Sequence, residues 1–339
     1  GNLKVADVPS VIQRILPHQF QSLTRNAPRG TKMGLSIVPG ADALKINVTA
    51  TYLECGGMGF DAVSLVADAA VSGPGGLDVA YSNMTGTTAF NNGTTITGTS
   101  TLFTTEYAVG DLIYLDVGGA NAQIRRITVI ASNTSLTVAA ATTGGNLTGK
   151  AHQKRNWLAL WFCCGTRGEA PVLYLSQSFT QPAAIALYSN FRRIGAVRYA
   201  DTATNVEGFF RWIKREDWWW QDEPLAHTST LPFLLVSNDA TANTNWVTKT
   251  AFVPPTATAV KLTVSDGFGS STPLGVALQV GGGNGVSTDR GRFACEVASG
   301  TLLHAQAEVP LSSTLTFQYA HTNAGTSIYI YQLAYLDPV

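Results

Sequence analysis

The residues best placed to do chemistry lie between 207 and 223. Glu207, Glu216, Asp217, Asp222 and Glu223 surround the run Trp218, Trp219, Trp220. Two carboxylates brought together by a fold can hydrolyse a glycosidic bond. The flat face of a tryptophan stacks on a pyranose ring. Acids and indoles together therefore describe a sugar site. The competing reading is that the indoles pack between domains or subunits while the acids stay solvated, and this is the reading we favour. Three consecutive residues cannot share one face of a strand or helix. At least one of the three tryptophans must then be exposed or meet another chain.

The other candidates for chemistry are thinner. His18, His152, His227, His304 and His321 are scattered, and none stands at ligand spacing from another His or Cys. Cys163 and Cys164 are neighbours, so a strand sends them to opposite faces, where they cannot form a metal clip. With Cys55 and Cys295 they read as buried, reduced thiols. No GxSxG, HExxH or phosphate-loop motif is present, and GGGNG at 281–285 lacks a helix after it and reads as a turn. We expect no catalytic residues, cofactor or metal. Arg192 and Arg193 stand in an apolar run. They read as one Arg on each face of a strand, paired with a carboxylate or stacked on an aromatic.

Three β-rich runs flank these features: NWLALWFCC from Asn156, APVLYLSQS from Ala170 and ALYSNFRRIGAVRY from Ala186. The first is apolar on both faces of a strand and too short for a membrane span. Short connections between the runs predict an antiparallel meander. Residues 225–339 hold further strands at the spacing of a β-sandwich. Residues 83–151 are rich in Thr, Gly and Asn and read as a small β-barrel inserted into the surrounding domain. There, TTITGTSTLFTT, DLIYLDVGG, QIRRITVIAS and TSLTVAAATT form four strands.

The best helix is at the start of the chain. Asp7 precedes Pro9, and Val8, Val11, Ile12, Ile15 and Leu16 follow at helical spacing until Pro17. Val11, Ile12 and Ile15 are candidate contacts with a partner chain or with further copies of this one, as are Trp218, Trp219 and Trp220. The resulting layout is an N-terminal helix (1–24), a discontinuous β-sandwich (25–82 and 152–224), the inserted module (83–151) and a C-terminal β-sandwich (225–339). The fold class is all-β, with several antiparallel sandwich or barrel domains and one short helix.

Composition agrees. In 339 residues there are 22 Lys+Arg and 22 Asp+Glu, a formal net charge of zero. A neutral, sparsely charged chain lacks the basic face that nucleic acid requires. No stretch reads as a signal peptide or membrane helix. So much apolar area under so little charge predicts a surface buried against other copies.

Three stretches resemble bacteriophage tail-fibre and related virion proteins: LTRNAPRGTKMGLSIVPGADALKINVTA (23–50), LYSNFRRIGAVRYADTATNVEGFFRW (187–212), and GTTITGTSTLFTTEYAVGDLIYLDV with QIRRITVIASNTSLTVAAATT (93–143). The resemblance implies a non-enzymatic virion component, a tail fibre or appendage. It would form a homotrimer on the tail with other virion tail proteins as neighbours, made in the host cytoplasm. The N-terminal helix would attach it, and the C-terminal sandwich would meet host-surface glycan or protein. The alternatives are a capsid or neck decoration protein and a tail-associated polysaccharide depolymerase. A depolymerase usually carries long β-helix repeats, and no such period is present.

Overall fold

The computed structural model describes residues 32–40, 44–165, 169–183, 188–199, 212–215, 218–221, 234–239, 243–266, 276–282, 293–297, 304–321 and 328–337. The N-terminal helix and the acids Glu207, Glu216, Asp217, Asp222 and Glu223 lie outside these residues, as do His18, His227 and most of GGGNG. What is described is all-β, with one short helical turn.

The described residues open with β1 (Lys32–Met33), β2 (Ser36–Pro39), β3 (Lys45–Cys55) and β4 (Met58–Asp68). Ile46, Val48, Ala50 and Tyr52 alternate along β3 and are buried, as a half-buried strand requires. Thr51 and Ala62, the latter at φ +50°, are skipped together in the pairing of β3 with β4, and the register is the same on either side. The SGPGG run turns as its sequence predicts, with Gly73 and Gly75 at positive φ.

The inserted module is a curled sheet. Its strands are β5 (Thr87–Asn91), β6 (Thr95–Thr99), β7 (Leu112–Leu115), β8 (Gln123–Ser132), β9 (Ser135–Val138), β10 (Asn146–Lys150) and β11 (His152–Lys154). Their order is β10-β5-β6-β9-β8-β7-β11. β10 and β11 are halves of one run broken at Ala151, so the strand that begins beside β5 ends beside β7. Phe90, Ile96, Ile113, Leu115, Ile127, Leu136 and Val138 fill the interior as a core separate from the main one. The TLFTT segment, expected to continue a strand, is instead the helical turn α1 (Phe103–Glu106). The Thr104 amide and hydroxyl both donate to the Asn133 side-chain oxygen, giving the turn a partner that a strand would not supply. Phe103 thereby enters the module core, against Tyr107 and His152.

β12 (Trp157–Cys164), β13 (Val172–Ser176) and β14 (Asn190–Arg198) form a separate antiparallel sheet in the order β13-β12-β14. This corrects the expected meander, which would place β13 in the middle. β12 is the most apolar of the three, and the central position covers both its edges as well as both its faces. Leu158, Leu160, Phe162 and Cys164 face the main core, while Ala159, Trp161 and Cys163 sit under Phe179 and Tyr188.

The remaining strands are β15 (Trp212–Arg215), β16 (Trp218–Gln221), β17 (Leu234–Asp239), β18 (Asn243–Thr250), β19 (Ala259–Asp266), β20 (Val276–Gly282), β21 (Phe293–Val297), β22 (His304–Pro310), β23 (Thr316–His321) and β24 (Ile328–Leu336). β17 to β24 pair as nested hairpins: β17 with β24, β18 with β23, β19 with β22 and β20 with β21. The two resulting sheets, β17-β24-β19-β22 and β18-β23-β20-β21, have the strand arrangement of a jelly roll. Val260, Leu262, Val309, Phe317, Tyr319 and Ile330 are buried between them.

One sheet runs across the boundary placed at residue 224. β24 pairs with β19 along one edge. Its other edge is shared by β17, opposite Ile328 to Tyr331, and β16, opposite Ala334 to Leu336. β16 continues through β15 to β2 and β3, so the jelly roll and the first β-region belong to one ten-stranded sheet.

His152 ties α1 to the module wall. Its Nε2 donates to the Thr85 carbonyl at 3.1 Å, and its Nδ1 accepts from the Tyr107 hydroxyl at 2.8 Å. Burial lowers its pKa below the ordinary histidine value. The unfolded chain therefore binds more protons than the folded one once pH falls through about 6.5. Urea midpoints measured from about pH 7 down to about pH 5 will fall for the wild type, and His152→Gln will flatten that slope. Equal slopes in the two proteins would remove His152 as the cause.

Candidate interaction surface

The three tryptophans separate by strand geometry. Trp219 is fully buried, whereas Trp218 and Trp220 are half-buried on the opposite face of β16. Trp219 stacks on Tyr335 at 5.9 Å between ring centroids and 12° between planes. Its ring also lies over Gly195 in β14, where an added Cβ would come within 2.3 Å of Cζ2. Trp219 is thus a core residue and leaves the set of candidate partner contacts. Trp218 and Trp220 remain in that set.

Lys261 of β19 reaches across β24 to both outer indoles. Its Nζ stands 4.2 Å from the Trp218 ring centroid and 4.7 Å from that of Trp220. The two rings are 6.5 Å apart at 46°, forming a wedge with the ammonium in it. Leu262 is buried, so Lys261 and Thr263 share the outward face, and Tyr331 is the register partner of Thr263. Tyr329 and Tyr331 stack at 6.5 Å and 12°. A stripe of half-buried aromatic rings thus runs along the outward face of β16 and β24, with the Lys261 ammonium against its two indoles.

Arg193 anchors this sheet to β14 from beneath. Its Nη1 lies 3.0 and 2.9 Å from the two carboxylate oxygens of Asp337 and 2.8 Å from the Thr256 hydroxyl. Thr256 donates to Asp337 at 2.8 Å. Asp337 is wholly buried, so its charge is held by these contacts. Arg192 donates to the Glu54 carbonyl at 3.2 Å, on the other side of β14. The two arginines therefore divide between the faces, as the sequence suggests. Farther along, Arg198 lies 3.7 Å over the Phe252 ring and donates to Gly110 of the module at 2.8 Å. Arg155 lies 3.6 Å over the Tyr81 ring. Both arginines sit where the module leaves the surrounding sheets.

Among the described residues, no group of His, Cys, Asp and Glu could hold a metal ion, and no helix is long and apolar enough to cross a membrane. An open depression of about 600 Å³ is lined by Gly34, Thr49, Ala50, Thr51, Asp61, Ala62 and Val63. It holds one carboxylate, where glycoside hydrolysis needs two.

No protein-family model matches the chain, and no curated protein matches it.

Sequence reasoning found the tryptophans and the arginines. It missed Lys261, Asp337 and Thr256, which sit in unremarkable strand and loop sequence and acquire their roles only through pairing of distant segments. Removing one member of the buried pair will be costly. Arg193→Ala will lower unfolding free energy in urea by about 3–5 kcal/mol. The Arg193→Met, Asp337→Leu double variant will recover most of that loss. A single-variant cost below about 1 kcal/mol would show that the pair is solvated and carries little.

Proposed function

We propose that the protein is a bacteriophage virion structural protein: a tail-fibre or tail-appendage subunit that works as a homo-oligomer, a trimer, on the tail. Residues 1–24 attach or trimerise it among other tail proteins. The C-terminal jelly roll meets host-surface glycan or protein. The observation that carries this reading is the jelly roll itself, with Tyr329 and Tyr331 on the outward face of its β24 and Trp218 and Trp220 on that of the adjoining β16. Jelly rolls recur in viral capsid and lectin domains, and this support is by analogy of fold. Flat aromatic rings beside a cation suit sugars that carry a negative charge. The low charge of the chain and the resemblance of residues 187–212 to tail-fibre sequences point the same way.

Light scattering on the purified full chain will give three times the 35.9 kDa of one chain. A stable single copy would argue against a fibre. Particles made with residues 1–24 deleted will lack the protein, and truncated protein still found in particles would refute the attachment role. Trp218→Ala will weaken adsorption of the purified protein to host cells about tenfold, the loss of one stacking surface. Unchanged adsorption would move the contact elsewhere. Release of new reducing ends from host capsule or lipopolysaccharide would replace the structural reading with a depolymerase.

A further inference from the structure

Two cysteines from different sheets meet at the rim of the first sandwich. Cys55 ends β3 and Cys164 ends β12, and the two are 109 residues apart in the chain. The Cys164 sulfur lies 3.3 Å from the Cys55 carbonyl, and the Cys55 sulfur lies 3.7 Å from the Phe162 carbonyl. Each thiol thus donates to a backbone carbonyl of the other's strand, which brings the ends of β3 and β12 together. Both are free and buried, at 1% and 0% exposure. Cys163, one residue away, faces the other side of β12 under Trp161 and Tyr174. The pairing therefore picks out one partner for each sulfur.

We propose that Cys55 and Cys164 are a latent cross-link, reduced where the chain folds and closed to a disulfide by a disulfide oxidant outside that compartment. The bond would staple β3 to β12, joining the two faces of the sandwich. This inference does not rest on the tail-fibre reading, since it needs only the two sulfurs and a change of redox environment.

The chemistry is thiol–disulfide exchange. The neighbouring Cys55 holds the Cys164 thiol below its ordinary range, whereas Cys164 and burial push the Cys55 thiol above its own. Cys164 is therefore the first nucleophile. Its thiolate attacks one sulfur of glutathione disulfide, whose S–S bond breaks and releases one glutathione thiolate. That thiolate takes up the Cys55 proton. Cys55 sulfur then attacks Cys164 sulfur and expels the second glutathione, which takes up the proton that Cys164 gave to solvent. Two protein thiols are oxidised and one glutathione disulfide is reduced to two glutathiones. Access requires only local opening, because both residues are at strand ends, beside the Gly56-Gly57 turn and before Gly165.

The test uses the full-length native protein. It is incubated with glutathione disulfide, blocked with N-ethylmaleimide and mapped by non-reducing peptide mass spectrometry. The expected product joins the Cys55 and Cys164 peptides with loss of two hydrogens, leaving Cys163 and Cys295 alkylated. Melting temperature will rise by about 5 °C or more over a dithiothreitol-treated sample, because the bond closes a long loop. Cys163→Ser will still form the link, and Cys55→Ser will not. A parallel sample in urea shows that the oxidant is active. Four alkylated thiols in the native sample, a bond between another pair, or a lower melting temperature after oxidation would each overturn the proposal. The wild-type map alone decides the first two, so the test survives a variant that fails to fold.

Discussion

Trp219 can occupy its place only because residue 195 has no side chain. The indole fills the gap that Gly195 leaves in β14 and presents its other face to Tyr335 of β24. One ring thus touches the three-stranded sheet and the jelly roll. Burying a tryptophan and a tyrosine there removes a few hundred Å² from water, several kcal/mol of hydrophobic stabilisation. Two residues before the glycine, Arg193 reaches the buried carboxylate of Asp337, two residues after Tyr335. Apolar packing and an ion pair therefore fix the same register between the same two strands. The ion pair adds little net stability over an apolar substitute, but it penalises any shift that would strand a charge.

This seam also explains why β16 can present aromatic rings outward. Strand alternation turns Trp218 and Trp220 away from the core once Trp219 is committed to it. Their backbones are held by β24 on one edge and β15 on the other. The outward stripe is positioned by an inward anchor, and Lys261 keeps the two indoles at a fixed opening. A surface for recognition is more effective when its rings are already in place before a partner arrives. The module of residues 83–151 stands apart from this seam, with its own core.

Much of this was legible in the sequence, for a simple reason. Period-two alternation and turn residues are local, so the all-β class, the strands β3 and β12 and the SGPGG turn could be read directly. The sequence of β24 sets Ile328, Ile330, Gln332 and Ala334 against Tyr329, Tyr331, Leu333 and Tyr335, and the structure follows that alternation from Tyr329 to Gln332. Ala334 and Tyr335 are both buried because Leu333 is skipped in the register with β19. A bulge of this kind has no signature in the strand that carries it. The same limit hid the Asp337 site, the central position of β12 and the nested pairing of β17 to β24. All three are set by which distant segments meet, and by no property of one segment. Trp219 shows the boundary most clearly. Sequence geometry required the three tryptophans to divide between faces, but only the gap at Gly195 decided which one went inside.

The central claim is that the Trp219–Gly195–Tyr335 seam makes the three-stranded sheet and the jelly roll open together. Native-state hydrogen exchange of the full chain reads this directly, at the amides of Leu160 in β12 and Leu262 in β19. The account predicts the same opening free energy and the same urea dependence at both positions. If Leu262 exchanged through a lower-energy opening while Leu160 stayed protected, the jelly roll would be unfolding by itself and the seam would not be what holds the protein together.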